Sequence, residues 1–176
     1  MKETLPVLYL SVLVVLLSVT TVFVFLQIIK TRRIEGNFSR LQKKLKQEKG
    51  TAKEYYELGS LYLDKKLFVQ SIGLFQKALK AEGDIEPENK ALIYNALGYA
   101  YFAQEQYDLA IRNYKEALKL YPEYVIALNN LGNAYERKQL TAQALETYEE
   151  TLKHDPNNTT AKRRAESLRK RLVSSK

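Results

Sequence analysis

Three five-residue strings recur along this chain: LGSLY at Leu58–Tyr62, LGYAY at Leu97–Tyr101 and LGNAY at Leu131–Tyr135. Their glycines stand 39 and then 34 residues apart. A near-fixed period of this size confines the chain to a repeat architecture. One small unit is copied and stacked because no unit buries its own apolar face. The glycines sharpen the expectation. Each lies in a stretch with helical patterning, where glycine costs about 1 kcal/mol against alanine. The same costly choice made three times marks a packing requirement: the absent side chain makes room for a helix of the same unit or the next. Downstream positions agree. Twelve residues after the glycines come Ser71, Ala110 and Ala144; four further on come Phe75, Tyr114 and Tyr148; three beyond those come Ala78, Ala117 and Thr151. The second and third copies close with Pro122 and Pro156.

On these residues the chain resembles the tetratricopeptide repeat over about 52–156. The resemblance implies an all-α fold: an α-solenoid of three two-helix units, near 52–85, 91–124 and 125–158. Gly59, Gly98 and Gly132, with Tyr62, Tyr101, Tyr135, Ala110 and Ala144, are then the packing positions. First (A) helices are predicted near 53–65, 89–104 and 123–138, and second (B) helices near 67–81, 107–120 and 141–154. Some positions depart from the family pattern. Tyr55, Tyr94 and Leu128 stand where tryptophan is usual, and Ser71 stands where alanine is usual. The first repeat lacks a closing proline and carries five extra residues, expected in the acidic loop near Gly83–Glu88. A last helix near 159–172 places Ala161, Ala165, Leu168 and Leu172 on one face and basic residues opposite. It resembles the polar-faced cap that ends such arrays. Its basic face is also suited to lipid, acidic protein or nucleic acid.

Ahead of the repeats, Thr4–Ile29 is an uncharged run of 26 residues rich in Leu, Val, Ile and Phe. As a helix it extends ~39 Å, more than the ~30 Å hydrocarbon core of a bilayer. A cleaved signal peptide has a shorter apolar region, about 7–15 residues, and a small-residue cleavage site. Here no alanine precedes Ala52, and Ser18 and Thr20 make a poor cleavage pair. The expectation is a retained anchor (residues 1–33, span about 5–29). The span has no charged residue and no GxxxG, hence no proton path and no strong dimerisation motif.

Charge sets the orientation. Residues 30–53 hold nine basic and two acidic side chains, against Lys2 and the amino group at the other end. The positive-inside rule places the basic flank, and the repeats with it, on the cytoplasmic side, which in a plastid is the stroma. The whole chain is +8: basic flanks surround residues 54–152, which carry ten basic and fifteen acidic side chains. Within the linker (34–51), Ile34, Phe38, Leu41 and Leu45 recur at helical spacing among Arg40, Lys43, Lys44 and Lys46. Such a basic amphipathic helix suits two uses, lying on anionic lipid or capping the first repeat.

The tetratricopeptide resemblance also implies a concave groove, lined by the A helices, that binds peptides or partner helices. Carried over, the lining is Lys53, Tyr56, Ser60, Leu63 and Asp64 from the first repeat. The second contributes Leu92, Asn95, Tyr99, Phe102 and Ala103. The third contributes Ile126, Asn129, Asn130, Asn133, Glu136 and Arg137. Apolar and aromatic groups would supply burial, and each asparagine offers a donor and an acceptor to a partner backbone. Family members that adapt chaperone tails grip a carboxylate with a basic clamp. The matching positions here are Tyr56, Ser60, Ala96, Ile126 and Asn130, so that clamp is missing.

Catalysis finds no foothold. The one histidine, His154, has no converging partners, cysteine is absent, and no phosphate-cradling glycine loop occurs. No metal and no cofactor is expected. No stacking aromatics interleave with the basic cluster at 162–171, so nucleic acid is not the expected partner. The layout as a whole resembles the thylakoid family of cyanobacteria and algal plastids known as hypothetical chloroplast reading frame thirty-seven. It shares that family's size, single N-terminal span, three repeats and basic tail. The resemblance implies assembly or stabilisation of photosystem I from the stromal face, through subunits or assembly intermediates. Two other roles suit the same layout: a scaffold for another bacterial membrane complex, and a receptor for incoming precursor proteins.

Overall fold

The computed structural model describes residues 4–174, and every regular element among them is a helix. The chain divides at Gln47 into two units. The first is a single helix, α1 (Thr4–Gln47), of 44 residues. It runs through the apolar stretch and the basic linker alike, with no boundary between them. Its apolar window is long enough to cross a membrane, and none of it is buried in protein. Phe23 and Phe25, for example, are each 62% exposed. A core helix of that hydropathy would hide such side chains. Ser18 and Thr21 turn their hydroxyls back on to Val14 O and Leu17 O, at 2.8 and 2.7 Å, so these polar groups are satisfied within the helix itself.

The second unit holds seven helices: α2 (Ala52–Asp64), α3 (Phe68–Lys80), α4 (Pro87–Ala103), α5 (Tyr107–Leu120), α6 (Val125–Arg137), α7 (Thr141–His154) and α8 (Thr159–Ser174). Each packs on its sequence neighbours, and the A helices α2, α4 and α6 also touch in turn. That contact pattern is a solenoid.

Local chemistry sets the helix ends. Thr51 and Glu54 form a reciprocal capping box that starts α2. Pro87 opens α4 at a position where its missing N–H is no loss. All three A helices stop alike. Lys66, Glu105 and Gln139 each take φ 60°, and the next residue's N–H bonds back to the motif tyrosine, at Tyr62 O, Tyr101 O and Tyr135 O, over 2.9–3.0 Å. This is a Schellman ending built without glycine.

The five extra residues of the first repeat are not all loop. The turn after α3 spans 81–86, against 121–124 after α5, and α4 has 17 residues against 13 in α6. Most of the insertion therefore lengthens α4 by about one turn at its start. In the turn itself Gly83 adopts φ +107°, which a side chain would resist.

The motif glycines and tyrosines do two separate jobs. A Cβ at Gly59, Gly98 or Gly132 would stand 2.7, 2.7 or 2.8 Å from Cε1 of Phe75, Tyr114 or Tyr148. Each of those rings belongs to the B helix of the same unit, so the glycine closes a unit on itself. The tyrosine faces the preceding unit. Tyr101 accepts a hydrogen bond from Gln76 of α3 at 3.1 Å, and the Tyr135 ring lies 5.8 Å from the Lys115 ammonium of α5. Ala110 and Ala144 are fully buried, which lets the helices approach closely. Ala161, Ala165 and Leu168 of α8 join the core of the third unit and cover its last face.

Candidate protein-binding groove

Because α2, α4 and α6 lie side by side, equivalent A-helix residues form rows across three repeats. The centre of this face is tied together by amides. Asn130 Nδ2 donates to Asn95 Oδ1 at 3.0 Å, and Asn95 Nδ2 donates to the Tyr124 hydroxyl at 3.3 Å. Asn95 thus uses one donor and one acceptor inside the molecule, leaving one N–H and one lone pair for anything docking on this face. Burial raises the pKa of the Tyr124 hydroxyl, and the ring of Tyr124 stacks on Tyr121 at 5.5 Å. Asn129 and Asn133 are half-buried beside this ladder. The Asn129 Oδ1 is shielded and meets no protein donor among the described residues. Ser60 is turned inward, its hydroxyl donating to Tyr56 O at 2.9 Å.

The apolar lining is graded. Ile126 is 58% exposed, Tyr99 47% and Leu92 36%. Phe102 is half-buried, edge-on to Tyr107 at 5.4 Å, and packs against the core shared by the second and third units. Tyr56 leans on Phe75 at 5.8 Å. Arg137 is held at the end of α6. Its Nε and Nη2 donate to the Tyr107 hydroxyl at 3.0 and 2.8 Å, and Glu105 lies 3.7 Å away. The Tyr107 bond raises the guanidinium pKa further, so this charge is permanent.

At the first-repeat end the face deepens into a cleft of about 660 Å³ between the start of α2, the 81–86 turn and α4. Tyr56, Leu92, Ile93 and Ile85 form its apolar wall. Glu57, Glu82, Asp84 and Glu86 stand around it with a single cation, Lys53. The cleft follows from the longer turn and the early start of α4; Lys53, Tyr56 and Leu92 of its lining were expected from the repeat pattern, whereas the part contributed by the 81–86 turn was not. For that turn the acidic composition of 82–88 was the signal available. His154 pairs with Glu150 at 3.3 Å on α7, away from this face.

Comparison with known proteins places this geometry. Tetratricopeptide repeat models match residues 51–123 and 95–159. The ycf37 protein of Cyanophora paradoxa is 40% identical over 142 residues, covering 81% of this chain and 82% of that protein. The ycf37 protein of Guillardia theta is 35% identical over 98% of this chain and 97% of its own length. The chloroplastic tetratricopeptide repeat domain-containing protein PYG7 of Arabidopsis thaliana is 35% identical over 93% of this chain, which spans 54% of PYG7. Among solved structures, MamA superposes with a TM-score of 0.71 at 24% identity, over 79% of this chain and 78% of its own, a likeness of fold.

Proposed function

We propose, from the premise that this chain is a tetratricopeptide repeat protein of the ycf37 family, that it is a membrane-anchored docking protein for the assembly or stability of photosystem I. It presents its A-helix face as a partner-binding groove at the stromal surface of the thylakoid. The observation that carries this reading is the pairing of two features in one chain. One is an apolar helix with no protein cover. The other is a row of exposed apolar and half-buried amide groups on the stacked A helices, Leu92, Tyr99, Asn129 and Asn133 among them. α1 crosses the membrane once and is retained. That confines the groove to the membrane surface and raises its effective concentration towards other membrane proteins. The likeness to a chloroplastic relative supports a plastid setting; the thylakoid and photosystem I part of the reading comes from the resemblance of layout alone. Catalysis has no part in it: the role is to hold protein surfaces, with Leu92, Tyr99 and Phe102 for burial and Asn129, Asn130 and Asn133 for backbone recognition.

The test is affinity capture of the tagged, full-length protein from gently solubilised native membranes, followed by mass spectrometry. Photosystem I subunits, enriched as incomplete complexes, are the expected result. Enrichment of another membrane complex, or of precursor chains, removes the photosystem assignment. Asn129→Ala with Asn133→Ala should lower capture by about tenfold while leaving the melting temperature unchanged. Undiminished capture would mean that another surface binds.

A further inference from the structure

We infer that the cleft at the first repeat selects a lysine- or arginine-bearing apolar segment of the partner protein. This inference rests on the groove reading above and names the charge that one end of the groove recognises. Three observations carry it. The cleft, about 660 Å³, has the size of a binding pocket. It is also continuous with the groove, since Tyr56 and Leu92 belong to both. The third is its charge: four carboxylates, Glu57, Glu82, Asp84 and Glu86, face one ammonium, Lys53.

The acidic lip is built rather than incidental. Gly83 at φ +107° turns the chain, and Ile85 packs against the Phe75 and Ile93 core, so Asp84 and Glu86 on either side of Ile85 are left outward. Glu57 and Asp84 have no ion-pair partner among the described residues. Among the described residues Glu82 pairs only with Lys49, at 3.4 Å with both side chains 90% exposed. Glu86 accepts one hydrogen bond, from Asn89, at 3.1 Å. An incoming cation therefore meets carboxylates with free lone pairs, next to an apolar wall that lowers the local dielectric and strengthens the pairing. The turns at 121–124 and 155–158 are shorter and carry one acidic residue each, Glu123 and Asp155. This recognition thus belongs to the first repeat alone. Its sign is opposite to that of a basic clamp for carboxylates.

The experiment uses full-length protein in a non-ionic detergent, screened against a displayed random decapeptide library. Enriched peptides should carry Lys or Arg beside Leu, Phe or Tyr. The triple variant Glu57→Gln, Asp84→Asn, Glu86→Gln should bind those peptides about tenfold more weakly, and so should the native chain as salt rises. An unchanged melting temperature would show that the variant is folded. Peptides enriched without basic residues, but lost on Asn129→Ala with Asn133→Ala, would overturn the cationic cleft and keep the groove. No enrichment at all would overturn both. Sedimentation settles the remaining occupant: a monomer supports a partner segment, whereas oligomers that dissociate in the triple variant would make a second copy of this chain the ligand.

Discussion

A methyl group at residue 98 would need the space already held by the Tyr114 ring, 2.7 Å away. That ring is fully buried and has nowhere to retreat. Gly98→Ala should therefore destabilise the fold by about 1–3 kcal/mol, although alanine is the better helix former. Thermal melts of Gly98→Ala, Tyr114→Leu and the double variant test the contact: the double variant should lose clearly less than the sum of the two, because the clash is gone. Strict additivity would mean that the glycine serves something else. The same ring makes an alkaline prediction. Burial pushes the Tyr114 hydroxyl well above its ordinary value near 10, and burial with the Glu136 hydrogen bond does so for Tyr148. The unfolded chain releases these protons first as pH rises. The stability they contribute is therefore full below about pH 10 and is lost as pH climbs from there towards the raised folded values. Tyr114→Phe should remove part of that loss. Its denaturation midpoint should fall less between pH 9 and about pH 11 than that of the native chain. Because the Tyr114 hydroxyl meets no protein partner among the described residues, the variant should cost little at neutral pH.

At the scale of the helix, each A helix ends on a strained residue. Lys66, Glu105 and Gln139 hold φ 60°, a region that costs a residue with a Cβ about 1–2 kcal/mol. Gln139→Gly should relieve part of that and raise stability by up to about 1 kcal/mol, read as a higher melting temperature. A lower one would show that the glutamine side chain contributes more than its backbone costs. This ending also shows where a sequence stops being informative. The repeated glycine and the buried aromatic 16 residues later were legible because one residue type is forced by one contact, and the units followed from their spacing. The left-handed turn was not legible: Lys, Glu and Gln share nothing that marks it, and only backbone hydrogen bonds impose it. The insertion was legible as a length but not as a helix, because its acidic residues and Gly83 read as loop while Pro87 already starts α4. The groove was legible by position and less so by state. Asn95 and Asn130 stood out as open amides, yet they meet each other only because α4 and α6 stack, a contact between residues 35 apart that no local pattern encodes.

For the whole molecule, the decisive property is the side of the membrane on which the repeats stand. The proposed orientation rests on charge: nine basic against two acidic residues follow the apolar run within residues 30–53. Holding that flank on the side where it is made resists its translocation, and every repeat lies beyond it. The chain has no cysteine, so a single one can report location without background. Ser167 on α8 is exposed, and its neighbour Leu168 packs the cap, so Ser167→Cys samples the far end of the folded unit. In intact thylakoids, whose outer surface is stromal, a membrane-impermeant maleimide should label Ser167→Cys at once, with no further labelling after detergent. Labelling that appears only after detergent would place the repeats in the lumen. The groove and its acidic cleft would then face lumenal partners, and the stromal docking role would fall with the orientation on which it depends.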